Sequence, residues 1–184
     1  MKRLIGKLII LITGWKSQYP EQWMVKKSVM IAAPHTSNWD LLHAIAVFWE
    51  KRIPVRFFIK DSYTKGFFGF FFKWIGAIGV DRSKKGKLVE HAVDILKEKN
   101  HISLLVPAEG SRKKVDKWKT GFYHIAKQAE VPVLLGYLDY KNKIAGVGDL
   151  INLTGNFETD IQHIQDFYKT ITAKYPEQYN EKIY

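Results

Sequence analysis

"SVMIAAPHTSNWDLLHAIAVFWEK", residues 28–51, changes its periodicity halfway. The opening seven residues form a short β-rich apolar run closed by proline, and from Trp39 onward apolar side chains return at helical spacing. The same alternation recurs along the chain. "VRFFIK" (55–60), "HISLLVP" (101–107) and "VPVLLGYLDY" (131–140) read as strands, while 62–75, 84–99 and 119–130 carry helical patterns. Strands alternating with helices predict an α/β fold: a single domain whose mostly parallel central sheet is flanked by helices. In such sheets the loops leaving strand carboxyl ends carry the site. His35 follows "VMIAAP" and Glu109 follows "ISLLVPA", so both are expected at that edge.

The 184 residues suit one well-filled core, and no repeat, low-complexity segment or Gly/Ser linker divides them. "FETDIQHIQDFYKTITAKY" (157–175) has apolar residues at 161, 164, 168 and 171, which fits an amphipathic helix packed on the body. The absence of cysteine excludes disulfides, thiolate catalysis and cysteine-ligated metal. The histidines at 43, 91, 101 and 124 show no ligand spacing with carboxylates, so no metal is expected and these side chains read as packing or surface residues.

The net charge is +11 and unevenly placed. Residues 149–184 hold three lysines against six carboxylates, leaving 26 basic and 12 acidic side chains before them. Such a body favours an anionic partner: nucleic acid, a phosphorylated metabolite or an anionic membrane surface. "MKRLIGKLIILITGWK" (1–16) has a basic start and an apolar stretch, but no small-residue cleavage site. The stretch is too short to span a bilayer, which needs roughly 20 residues. The expectation is an interfacial helix over 1–15 with Leu4, Leu8, Leu11, Ile12 and Trp15 inserted and Lys2, Arg3 and Lys7 at the headgroups; a helix packed on the protein's own core is the alternative. The aromatic run "GFFGFFFKWIGAIG" (66–79) cannot face one core entirely, so some of its rings are expected to line an acyl channel or meet lipid.

Ser37 or Asn38 can cap a helix beginning near Trp39, which puts Asp40 in its first turn and leaves His35 in the loop before it. A carboxylate on one imidazole nitrogen fixes the tautomer and frees the other nitrogen to take a proton. An isolated H-x4-D is more simply a helix-terminal carboxylate beside a loop histidine. Three further segments follow in order: "GVDRS" (79–83), "PAEGSRKK" (107–114) and, after "WKTGFYHIA" (118–126), "VPVLLGY" (131–137). Together these motifs resemble the glycerophospholipid acyltransferase family, the bacterial group containing 1-acylglycerol-3-phosphate acyltransferase, over residues 28 to 138. His35 and Asp40 match its first motif, Arg82 its second, Glu109, Gly110 and Arg112 its third, and Val131, Pro132 and Val133 its fourth. Pro34, Ser111 and Lys113 depart from the family's pattern; these changes barely touch the chemistry and leave the acceptor open.

The resemblance implies an acyltransferase with no cofactor, using an acyl-coenzyme A or acyl-carrier-protein thioester as donor and a lysophospholipid as acceptor. It implies His35 as base, Asp40 as its orienting partner, and Arg82 and Arg112 as a forked grip on phosphate. Glu109 would hold Arg112 or an acceptor hydroxyl, Gly110 would permit close backbone approach, and Lys60 and Lys119 are further phosphate contacts. With no cysteine and no GxSxG elbow, direct transfer is preferred to an acyl-enzyme. The expected place is peripheral, on the cytoplasmic face of the cell membrane. Two rivals stand beside it: a basic, aromatic-rich nucleic-acid-binding module, for which no RRM, KH or helix-turn-helix signature appears, and a lipid-binding protein that keeps the fold without catalysis.

Overall fold

The computed structural model describes residues 1–81, 87–180, 182 and 183. Among the described residues seven strands form one sheet: β1 (Lys16–Gln18), β2 (Lys27–Ala33), β3 (Val55–Lys60), β4 (Ala77–Val80), β5 (Ile102–Val106), β6 (Val133–Asp139) and β7 (Ile144–Ile151). Their order is β1-β7-β6-β2-β5-β3-β4, and every pairing is parallel except β6 with β7. The helices are α1 (Lys2–Thr13), α2 (Trp39–Glu50), α3 (Asp61–Lys65), α4 (Gly69–Ile75), α5 (Leu88–Glu98), α6 (Gly121–Ala129) and α7 (Phe157–Tyr168). The expected α/β fold is what forms.

Burial on both faces explains why the central strands read as unbroken apolar runs. In β2, Val29 and Ile31 face a core completed by α5, α6 and α7, while Met30 faces a second core against α2 and α4. β6 divides the same way, with Val133 and Leu135 on the first side and Leu134 on the second. Three strands lay outside the sequence expectation: β1, β4 and β7, the first two being only three and four residues long. β7 carries Gly146 and Gly148 among its apolar residues, which masks a strand pattern. The helix expected over 62–75 is two helices, α3 and α4, broken where the Gly69 N–H bonds to Gly66 O.

β2 and β5 lie side by side, with Ile31 opposite Val106. From β2 the chain passes through α2 to β3, beyond β5; from β5 it passes through α6 to β6, beyond β2. The two connections leave neighbouring strands in opposite directions and open a crevice at their carboxyl ends. The turn after β6 reaches the same edge, because β6 runs parallel to β2.

Residues 169–180, 182 and 183 return across that edge. The Tyr140 N–H donates to Thr172 O at 2.9 Å, and the Tyr175 N–H to Thr36 Oγ1 at 3.2 Å. Trp118 donates its backbone N–H to Ile183 O and its indole N–H to Asn180 O, and Asn180 Nδ2 donates to Val115 O and Asp116 O. Three loops of the crevice are thereby tied to one segment.

α1 packs on the body along one side, as the alternative reading of its sequence expected, and leaves an apolar face exposed on the other. Its Gly6 lies against α2 so closely that a Cβ there would stand 2.4 Å from Ala46 O. On the opposite side Leu4, Leu8, Leu11 and Ile12 are exposed. Trp15 corrects the expectation: it is buried, stacked on His43 at 4.3 Å between ring centroids. Lys2 also turns inward, donating to Trp74 O at 2.5 Å and lying over the Trp74 ring. Gly6→Leu is expected to cost about 1–3 kcal/mol in denaturant unfolding through overpacking and to make α1 a protease site; unchanged stability and protection would mean that α1 does not depend on this contact.

Candidate active site

β2 delivers the chain into the loop 34–38, and α2 begins immediately after it. Ser37 Oγ accepts from the Trp39 N–H at 3.2 Å, whereas Asn38, at the formal cap position, makes no side-chain cap bond. Asp40, in the first turn, reaches back instead of outward. Its Oδ2 accepts from the N–H groups of Thr36 and Ser37, both at 2.9 Å, and meets His35 Nδ1 at 3.1 Å. Its Oδ1 accepts from the Tyr140 hydroxyl at 2.6 Å.

Asp40 is only 4% exposed, and that burial pushes its carboxyl upward. Hydrogen bonds from His35, Tyr140 and the Ser37 backbone outweigh it and hold the group below its ordinary range, so it is ionised at neutral pH. An ionised carboxylate only accepts, which assigns the proton to His35 Nδ1 and the free lone pair to Nε2. Tyr140, pushed well upward by burial and by Asp40, stays protonated and donates.

The second strand end supplies Glu109, 4% exposed, whose Oε2 accepts from the His35 N–H at 2.8 Å. Burial drives its carboxyl up to about 7 against that bond. Glu109 Oε1 is buried with no hydrogen-bond partner among the described residues. The loop around it turns at Gly110, whose N–H bonds to Pro107 O and whose φ of +67° is strained for any side chain. Lys119 packs over this turn, its N–H on Ala108 O at 2.7 Å and its Nζ 2.7 Å from where a Gly110 Cβ would stand.

A cavity of about 380 Å³ opens beside these groups. Its polar rim includes His35, Asn38, Asp40 and Arg112; its walls are apolar, from Leu41, Ala44 and Phe48 of α2 and from Phe57, Leu105 and Leu138 of the sheet. That size and lining suit an apolar ligand held by a few polar groups. Of the residues singled out in the sequence, His35, Asp40, Glu109, Gly110 and Arg112 thus share one edge, with Lys119 against them. Lys60 ends β3 at the same edge of the sheet but is exposed and does not line the cavity. Arg82 lies outside the described residues. Glu109 makes no ion pair with Arg112; it spends its one bonded oxygen on the His35 backbone, which is the nearer donor.

One expectation narrows, and one residue of the site was missed. The cavity is walled by α2 and the sheet, not by the aromatic run: Phe67, Phe68, Phe70 and Phe71 are exposed, and Phe72 and Trp74 pack against the second core. Tyr140 went unnoticed although it follows the strand "VPVLLGYLD", the kind of position from which His35 and Glu109 were found.

The acyltransferase family profile matches residues 15–134, well over half of the chain. The chain belongs to the acyltransferase family. Among solved structures it is similar to the 1-acyl-sn-glycerophosphate (LPA) acyltransferase PlsC from Thermotoga maritima, at 16% identity and a TM-score of 0.64, over 92% of this chain and 76% of that one. The likeness is one of fold. No curated protein sequence matches the chain.

The raised carboxyl of Glu109 carries a sign. The folded state holds this proton more tightly than the unfolded chain, so the stability it contributes is present below the ordinary 4.5 and is lost as pH rises towards 7. Glu109→Gln is expected to stabilise the protein by roughly 1–3 kcal/mol at pH 8 and by little at pH 4. Unfolding midpoints at the two pH values check it; equal effects would mean that the buried charge is not the cause.

Proposed function

We propose that this acyltransferase moves a fatty acyl group from a thioester donor, acyl-coenzyme A or acyl-carrier protein, to the hydroxyl of a lysophospholipid or related acceptor. The observation that carries the reading is the His35–Asp40 pair at the rim of an apolar cavity, with the free imidazole nitrogen unpartnered among the described residues. The acceptor class is suggested by the fold likeness to a 1-acyl-sn-glycerophosphate acyltransferase.

In the proposed reaction the acceptor oxygen attacks the thioester carbonyl while His35 Nε2 takes its proton. The tetrahedral intermediate collapses, the C–S bond breaks, and the thiolate receives the proton back from the imidazolium as a free thiol. Asp40, already ionised and satisfied, supports the transient positive charge without reorganising. Arg112 at the rim is the described candidate for the acceptor's phosphate, with Arg82 assigned beside it from sequence alone. Glu109 Oε1, buried and unpaired among the described residues, is a partner for an acceptor hydroxyl. Neither a metal nor another cofactor enters, and nucleic acid is not a partner in this reading.

The protein would work as a peripheral enzyme on the cytoplasmic face of an anionic membrane. Among the described residues no helix is long and apolar enough to cross one. Support for docking comes from the exposed face of α1, Leu4, Leu8, Leu11 and Ile12, and from the exposed phenylalanines between α3 and α4, since Lys2 ties the start of α1 to the end of α4. Apolar insertion with flanking Arg3 and Lys7 gives salt-sensitive binding, at about 1 kcal/mol per basic residue.

A mass-spectrometric screen of lyso-lipids with both thioester donors tests the reading, and no ester product from any pair would sink it. His35→Ala should lose at least about 10²-fold in turnover with its unfolding midpoint kept; a tenth of the activity surviving would remove His35 from the base role. Leu8→Ser with Leu11→Ser should weaken flotation with anionic vesicles while sparing turnover on dispersed short-chain acceptor. Unchanged flotation would move docking away from α1.

A further inference from the structure

The loop that binds Asp40 supplies donors to only one of its two oxygens. Oδ2 takes the Thr36 and Ser37 N–H groups and faces His35 Nδ1. Oδ1, on a side chain this buried, has the Tyr140 hydroxyl and nothing else among the described residues. Without that donor Oδ1 would be left buried and unpaired, and nothing on that side would hold the carboxylate plane against turning about Cβ–Cγ, so the oxygen aimed at the imidazole would no longer be fixed.

Tyr140 is itself built in. It leaves β6 at the turn into β7, where Asp139 Oδ1 accepts from the Lys141 N–H and Asn142 Nδ2 donates to Asp139 Oδ2. The Tyr140 N–H is held by Thr172 O. Its ring meets Trp15 edge-on at 4.9 Å and His43 at 6.1 Å, and the Lys174 ammonium lies 5.8 Å from its centroid. It does not line the cavity, so it touches the reaction only through Asp40.

We propose that Tyr140 is a positioning residue of the acyl-transfer site, its hydroxyl locking Asp40 Oδ1 so that Oδ2 stays on His35 Nδ1 and Nε2 stays aimed at the acceptor. The proposal rests on the acyl-transfer reading above for its catalytic part and on the hydrogen bond alone for its structural part. The charged and titratable groups around the carboxylate are His35 in its own loop, His43 on α2, Glu109 after β5, and Lys174 and Tyr175 from the returning segment.

Tyr140→Phe tests it, because the ring and its contacts with Trp15 and His43 remain. In the resting protein, the titration midpoint of the Asp40 carboxyl, followed by carboxyl carbon NMR, should rise by about half a unit or more once the donor is gone. Turnover on the best acceptor should fall about tenfold, with KM within about twofold and the acidic limb of the kcat profile moved to higher pH. Placed in an Asp40→Asn background, the same substitution should change kcat by less than about twofold. An unmoved Asp40 midpoint, or a full tenfold loss in the Asp40→Asn background, overturns the proposal. If wild-type protein acylates no lyso-lipid, the functional reading fails while the carboxyl titration still decides the role of Tyr140.

Discussion

Asp40 is a carboxylate at the first turn of a helix, with 4% of its surface exposed. A charge in such a place is stable only if the chain brings donors to it, because desolvation alone costs several kcal/mol. Much of the site follows from meeting that demand. The loop 34–38 folds over so that two successive amides point at one oxygen, which fixes the path by which the chain leaves β2. The imidazole of His35 is drawn to the same oxygen, and a hydroxyl is recruited from 100 residues away for the other. One buried charge thus sets the tautomer of the histidine, the start of α2 and the position of the β6–β7 turn.

The sheet makes this economical. β2 lies between β5 and β6, with apolar side chains on both faces, so its end is held rigidly from either side. Because the crossovers from β2 and β5 depart in opposite directions, the crevice between them needs no added structure to exist. Glu109 enters this crevice from β5 and binds the His35 backbone, leaving the imidazole to Asp40. The two carboxylates consequently differ in state: several donors keep Asp40 charged against its burial, whereas burial lifts Glu109, with one donor among the described residues, to about 7.

What could be read beforehand was whatever a local pattern records. The runs 28–34, 101–107 and 131–140 are apolar because their strands are buried on both sides, and they located the strand ends from which His35 and Glu109 emerge. β1 and β4 were too short to leave a period, and the glycines of β7 hid one. Trp15 looked like a membrane anchor because helical spacing places it beside Leu11 and Ile12; the αL turn at Gly14 ends the helix and sends the ring onto His43 instead. The pairing of Tyr140 with Asp40 depends on sheet order, which one sequence does not state. Glu109 and Arg112 looked like partners by proximity in the chain, but a closer backbone amide took the carboxylate.

The returning segment, residues 169–180, 182 and 183, bears on the order in which the protein is built. Its bonds to Thr36, Tyr140, Asn180's carbonyl partners and Trp118 join loops that belong to the first, middle and last thirds of the chain. β2, β5 and β6 all precede that segment in the chain. The bonds that fasten the three loops form only once residues 172–180 and 183 have been made. The walls of the cavity, whose lining ends at Gly146, are therefore synthesised before the segment that fastens the loops at its edge.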